Sequence, residues 1–466
     1  MPNARRIDAA LVNEVLSGGE EAPGLFEQLL GFRTSTGVIK SVHIMNDLAQ
    51  TVLGGAPEHG GDFLLRVIRE GVEGEDNSEE TLRADSRFGE AFTRAFPPEL
   101  GPDRVRALRA AAARVLNFDG GAYKPGTQMA SALATHKALL GFEGFRRFGL
   151  GPYLAATLEA EGQRRLVSLF EDAGDPLSRA FRPLLVEAPL VEKGRRPTPR
   201  ALTSFDKALG RRLSTLLSQP LSKPTLLRYF ALGASLGLVL KVLGAGREEG
   251  RPMLLALAAE YEGGSRPLRA EAVQAFRRGV DALDGRLAVL VPEHPRAAAL
   301  LSSSPGPKAA AVEVRGGLPL EKLAEELVAA MRQRPSGEET TYWPDKFAVA
   351  LGRKVGCVLP LKDQAGWGTH LALTPELVEV LIMMSVPPGA HAEPWTKLWK
   401  RLREELGIVI GSSPSSDAEA LRRAGVLSVS LERLAENSEL LLRQAVRRGV
   451  ARRLPDSGAE AGGNLS

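Results

Sequence analysis

Residues 430–461 read SLERLAENSELLLRQAVRRGVARRLPDSGAEA, and this stretch decides how the rest of the chain is read. Ser430 is an N-cap hydroxyl, and Leu431, Leu434, Leu441, Leu442 and Ala445 recur at helical spacing, which predicts a long amphipathic helix through Arg448. Gly449 stops it. Residues 450–454, the turn Pro455-Asp456-Ser457-Gly458 and residues 459–461 then predict a small hairpin. A long helix running into a basic hairpin is the closing half of a winged helix.

Upstream, Thr374-Pro375-Glu376 is a helix start: a capping hydroxyl, proline in the first turn and an acid facing the macrodipole. Leu377, Val378, Val380, Leu381, Ile382 and Met384 make that helix apolar almost all round, so it is expected to be buried, and Pro387-Pro388-Gly389 ends it. A second helix carries Trp395, Leu398, Trp399, Leu402 and Leu406, with Gly407 as its C-terminal cap. Ile408-Val409-Ile410 is a strand candidate. Ser416 with Glu419 has capping-box spacing and predicts a short helix closed by Gly425. Helix, helix, long helix, hairpin is the order a winged helix requires, so residues 373–466 are expected to form a winged-helix-like module. A weaker version of the same order runs through residues 318–372: a helix over Leu320, Leu323, Leu327, Val328 and Met331, another over 345–353, then a hairpin from 355–361 with 369–373. The two together would make a tandem.

Arg443, Arg447, Arg448, Arg452 and Arg453 gather where the long helix meets the hairpin, and such a cluster can neutralise backbone phosphates. The same residues also suit a helix C-terminus on dipole grounds, and Glu439 can pair with Arg443 one turn on. Glu432, Glu436 and Glu439 occupy the start of that helix, the end that faces bases in helix-turn-helix readers. Any DNA contact is therefore expected to be to phosphates.

The remainder reads as mainly helical and multi-domain. Its 466 residues suit two or three domains, and charged residues at 25% beside hydrophobic residues at 44% leave ample material for a core. Residues 1–182 form an N-terminal helical domain, its first helix marked by Ile7, Leu11, Val12, Val15 and Leu16. A basic, proline-rich connector follows at 183–204, then a central helical domain at 205–301 with short buried runs at 253–259 and 286–291 that periodicity assigns to neither strand nor helix. Residues 302–317, centred on Ser302-Ser303-Ser304-Pro305-Gly306-Pro307, read as a linker. The run GFEGFRRFGLGPY at 141–153 interleaves aromatics with Arg146 and Arg147. That suits base stacking, but its phenylalanines are three apart and suit one helical core face better. The apolar run 229–243 is interrupted by Lys241 and falls short of a membrane span, so a cytoplasmic protein without a membrane anchor is expected.

No catalytic constellation emerges. A Gly-x-x-x-x-Gly-Lys-Ser/Thr phosphate loop, a His-Glu-x-x-His pair and a Gly-x-Ser-x-Gly elbow are all absent from the sequence. The six histidines are scattered, Glu260 and Glu262 lack nuclease-like partners, and Cys357 stands alone among valines and leucine as a small hydrophobe. The expectation is a non-enzyme with no cofactor and no metal.

The C-terminal block LTPELVEVLIMMSVPPG…WTKLWKRLREELGIVIGSS…LRRAGV…NSELLLRQAVRRGVARRLPDSG resembles uncharacterised proteins encoded in bacterial anti-phage defence operons, beside ATPases and DNA-modifying enzymes. The resemblance covers about the last third of the chain and brings no catalytic residue with it. It implies a cytoplasmic accessory subunit that binds other proteins within a system acting on DNA. A stand-alone DNA-binding regulator is the competing expectation.

Overall fold

The computed structural model describes residues 4–18, 23–34, 41–57, 78–86, 88–115, 149–172, 174, 190–191, 201–248, 250–259, 268–296, 299–300, 311–315, 318–333, 343–361, 368–455 and 458–463. In chain order the elements are β1 (Ala4–Asp8), α1 (Ala9–Ser17), α2 (Leu25–Leu30), α3 (Ser41–Val52), β2 (Ala56–Pro57), α4 (Glu79–Ala84), α5 (Gly89–Ala95), α6 (Pro102–Val115), α7 (Leu150–Thr157) and α8 (Ala160–Glu171). Then come β3 (Leu190–Val191), α9 (Ser204–Leu217), α10 (Lys223–Gly244), β4 (Leu254–Ala258), α11 (Arg269–Leu290), β5 (Ala311–Arg315), α12 (Leu320–Arg332), α13 (Pro344–Val355), β6 (Val358–Leu359) and β7 (His370–Leu373). The chain closes with α14 (Pro375–Met383), β8 (Glu393–Pro394), α15 (Trp395–Leu406), β9 (Ile408–Val409), α16 (Pro414–Arg423), α17 (Leu431–Arg447), β10 (Ala451–Arg453) and β11 (Ala459–Ala461). The protein is mainly helical, as the composition suggests. The expected helix at 127–140, the aromatic run 141–148, most of the connector 183–204 and the run 302–307 lie outside the described residues.

Two compact units divide the chain, one of residues 1–38, 198–209 and 236–466, the other of 39–197 and 210–235. In the second unit α3 packs on α7. Gly151 permits their close approach: a Cβ there would sit 2.3 Å from the Asp47 carbonyl carbon, and the Gly151 N–H donates to Asp47 Oδ2 at 2.6 Å.

The first unit is built around a four-stranded sheet in the order β6-β7-β4-β9. β4 runs parallel to both β7 and β9, and β6 is an antiparallel edge on β7. The run 253–259, ambiguous in sequence, is the central strand because Leu254-Leu255-Ala256-Leu257-Ala258 is buried along its whole length, as a parallel strand covered on both faces must be. Each buried leucine contributes roughly 1.5–3 kcal/mol. The other ambiguous run, 286–291, completes the last turn of α11 apart from Val291, its C-cap. Leu255, Leu257, Val409, Ala418, Leu421 and Leu434 pack together, so the C-terminal segment shares one core with a strand more than a hundred residues upstream.

Two departures from the sequence reading occur at β1 and β5. Ile7 belongs to a strand and not to the first helix, which begins at Ala9 with the Asp8 carboxylate accepting from the Ala10 N–H at 2.9 Å. Residues 311–315, read as linker, are the strand that pairs with β1, Ala4 opposite Arg315 and Asp8 opposite Ala311. Val312 and Val314 alternate with exposed Glu313 and Arg315, which is the period of a half-buried strand. Neither strand is evident locally, because each needs a partner about 300 residues away.

Lys241, which interrupts the apolar run, lies buried against Asp206 at 2.7 Å, both side chains 4% exposed. That burial requires the pairing, since an isolated charge there would be very costly. Among the described residues α10 is the one helix long and apolar enough to cross a membrane, and 94% of its apolar window is buried inside the protein.

Candidate nucleic-acid interface

α17 begins where the sequence places it: the Ser430 hydroxyl accepts from the Arg433 N–H at 3.3 Å. The helix is held from beneath by polar as well as apolar contacts. Asn437, fully buried, donates to the carbonyls of Ala256 and Ile410 at 2.9 Å each and accepts from the Ala258 N–H at 3.0 Å. Ser438 accepts from Trp395 Nε1 at 3.0 Å, and Trp395 packs on Trp399 with ring centroids 5.4 Å apart. Gly411 passes so close that a Cβ would lie 2.0 Å from the Leu434 carbonyl oxygen, and its φ of +91° is itself a glycine conformation.

The turn after β9 differs from the sequence reading in detail. α16 starts at Pro414 behind Ser413, two residues ahead of the Ser416–Glu419 box, because the buried Asp417 carboxylate accepts from the N–H groups of Gly411 (3.0 Å) and Ser413 (3.3 Å). Ser416 instead accepts from Arg403 at 2.9 Å and donates to the Ser413 carbonyl at 3.2 Å.

The five sequence-predicted arginines are all exposed and lie along the end of α17 and on β10. Arg443, Arg448, Arg452 and Arg453 are also engaged with carboxylates. Arg443 Nε donates to Glu439 at 3.1 Å, and Arg453 reaches the same carboxylate. Arg452 faces Glu460 directly across the hairpin and pairs with it at 2.5 Å. Arg448 Nε donates at 2.6 Å to Glu379 of α14. Arg443, Arg448, Arg452 and Arg453 thus share Glu439, Glu379 and Glu460, and they keep 41–58% of their side chains exposed. At the opposite end of the helix Arg433 pairs with Glu436 at 2.8 Å, and Glu432 stays exposed.

Glu379 and Glu460 are the partners that the sequence reading missed. The signal for Glu379 was an acid in the interior of an apolar helix, beyond the first turn that Glu376 occupies. Glu379 is 8% exposed, and such an acid needs a cation. Glu460 is legible only once the hairpin register is known, since Arg452 and Glu460 are eight residues apart. The third feature missed is β8: the two residues before α15 pair antiparallel with β11, so the hairpin becomes a three-stranded sheet in the order β10-β11-β8.

Reactive chemistry elsewhere among the described residues would need clustered metal ligands, a reactive thiol or a titrating imidazole. No group of three or more potential metal ligands is brought together there. Cys357 is fully buried, and desolvation pushes its thiol up to about 12. His370 in β7 has its pKa lowered by burial, its Nδ1 lying 2.9 Å from the Gly368 carbonyl oxygen. No known family model, characterised protein or solved structure matches the chain.

Proposed function

We propose that this chain is a non-catalytic accessory subunit of a bacterial DNA-processing or anti-phage defence complex, and that its C-terminal segment is a winged-helix-like module that docks on DNA phosphates. The observation that carries the reading is the element order α14-β8-α15-α17-β10-β11 with β8 paired to β11, the strand pairing that a winged helix uses to tie its hairpin to its first helices. β9 and α16 stand between the second and the long helix as an addition that anchors the module to β4. The exposed Arg443, Arg447, Arg448, Arg452 and Arg453 supply phosphate-seeking donors at the wing, and the acids at the start of α17 oppose base readout. Leu427 and Leu431, 70% and 44% exposed beside the entry to α17, offer apolar area for a protein partner. The resemblance to defence-operon proteins supports the same role.

Affinity purification of the tagged chain from its native host tests the subunit role. Recovery in a stable complex is expected, and a solitary monomer that hydrolyses nucleic acid would refute it. DNA binding by the purified chain through the wing's phosphate contacts, with no protein partner recovered from the host, would favour the stand-alone regulator instead. Genes for an ATPase, methyltransferase or nuclease next to its own are expected under the first reading, and an isolated gene under the second.

A further inference from the structure

A second basic feature uses none of the α17 arginines. Between the ends of α10, α15 and α16 lies a cavity of about 330 Å³ whose walls carry Arg247, Arg251, Arg403 and Arg423 against one carboxylate, Glu404. It sits at the amino ends of the β4–β9 pair: Arg251 and Met253 lead into β4, Arg403 and Glu404 precede β9, and the Leu254 N–H donates to the Gly407 carbonyl at 2.8 Å.

The arginines are not equivalent. Arg403 is committed to Asp417 at 2.5 Å and is a fixed, neutralised wall. Arg423 is 74% exposed and only loosely paired with Glu419 at 3.6 Å. Arg247 is half-buried, its Nε is fully enclosed with no hydrogen-bond partner among the described residues, and burial lowers its pKa. The ordinary explanation is that arginines here complement three helix C-termini, each worth about half a negative charge. That accounts for the sign of the patch but leaves the enclosed Arg247 Nε–H unsatisfied, which is costly unless an acceptor arrives.

We infer that this cavity binds a phosphate or diphosphate group, with the Arg247 guanidinium as its principal donor and Arg251 and Arg423 completing the hold. A guanidinium fork matches phosphate oxygens two at a time. The volume lies at the small end of ligand sites, roughly 300–1,000 Å³, and suits the phosphate moiety rather than a whole enclosed nucleotide. The group can come from a free phosphate compound or from a nucleic-acid backbone.

Titration calorimetry of the full chain with inorganic pyrophosphate at low salt tests this. Wild type is expected to bind, Arg247→Ala to bind about tenfold or more weakly, the loss of one charged hydrogen bond, and Arg247→Lys to recover part of the loss. Arg423→Ala, at a position too exposed to threaten folding, is expected to weaken binding severalfold even if Arg247→Ala proves unstable. In the triple variant Arg443→Ala, Arg452→Ala, Arg453→Ala, which removes donors of the wing, adding Arg247→Ala is expected to weaken pyrophosphate binding by the same factor as in the wild-type background, which separates this site from the wing. A short oligonucleotide that competes with pyrophosphate identifies the backbone as the source, and an oligonucleotide that leaves it undisturbed identifies a free phosphate compound. Absence of pyrophosphate binding by wild type, or binding unchanged in both Arg247→Ala and Arg423→Ala, overturns the inference.

Discussion

The two ends of the β4–β9 strand pair are finished in opposite ways. In parallel sheets the carboxyl ends of the strands are the usual place for a ligand. Here Asn437 fills that place, giving three hydrogen bonds to the backbone of both strands from a side chain with no exposure. At the amino ends the chain instead leaves a cavity walled by arginines. A polar group whose partners are all internal serves the fold. A donor enclosed with no partner among the described residues, as Arg247 Nε is, can serve a ligand.

Asp417 ties the two ends together, since it caps the turn after β9 and neutralises Arg403 in the cavity wall. Both side chains are at most 11% exposed. Asp417→Ala leaves Arg403 uncompensated, and the expected loss is about 3–5 kcal/mol in urea unfolding. A loss below about 1 kcal/mol would mean that the cavity wall relaxes around the orphaned charge. Asn437→Ala probes the sealed end alone. It strands the Ala258 N–H and two carbonyls, and about 3 kcal/mol of destabilisation is expected. If Asn437→Ala weakened pyrophosphate binding while the chain stayed folded, the contrast between the two ends would fail.

His370 tests the sheet on its other side. Burial depresses its pKa, so the neutral imidazole is favoured by folding. Stability from this group is fully present above the ordinary value of 6.5 and is lost as pH falls through the lower folded value. Thermal unfolding at a series of pH values below 6.5 should show the decline, and His370→Asn should flatten it. Unchanged acid sensitivity in the variant would assign the decline to other groups.

The smallest effects are expected at the wing. Arg452 and Arg453 are about half exposed, so changing both to Ala should move stability by no more than about 0.5 kcal/mol. On DNA the same change should weaken binding to unrelated duplexes alike, and the salt slope should fall by about 0.9 for each phosphate no longer neutralised. Fluorescence anisotropy on two duplexes at several salt concentrations measures both. A weakening confined to one duplex would point to base readout, and no binding at low salt would leave the wing as a protein-docking surface.

What the sequence determined by itself was local. Capping residues, apolar spacing and glycine stops located α14, α15 and α17, and turn residues located the β10–β11 hairpin, because each depends on contacts a few residues apart. The five arginines were legible as a cluster for the same reason, one helical turn and one strand bringing them together. Tertiary structure alone decided the rest. β1 and β5 are strands only because each has the other, and β4, ambiguous in sequence, is one because β7 and β9 flank it; a strand's backbone groups are satisfied by residues that no local window contains. Asn437 reads as an ordinary polar residue on a helix until β4 and β9 arrive beneath it. The arginine cavity is the extreme case: its walls come from residues 247–253, 403–404 and 420–424, and neither its volume nor the enclosed Arg247 Nε exists until those three stretches close around one point.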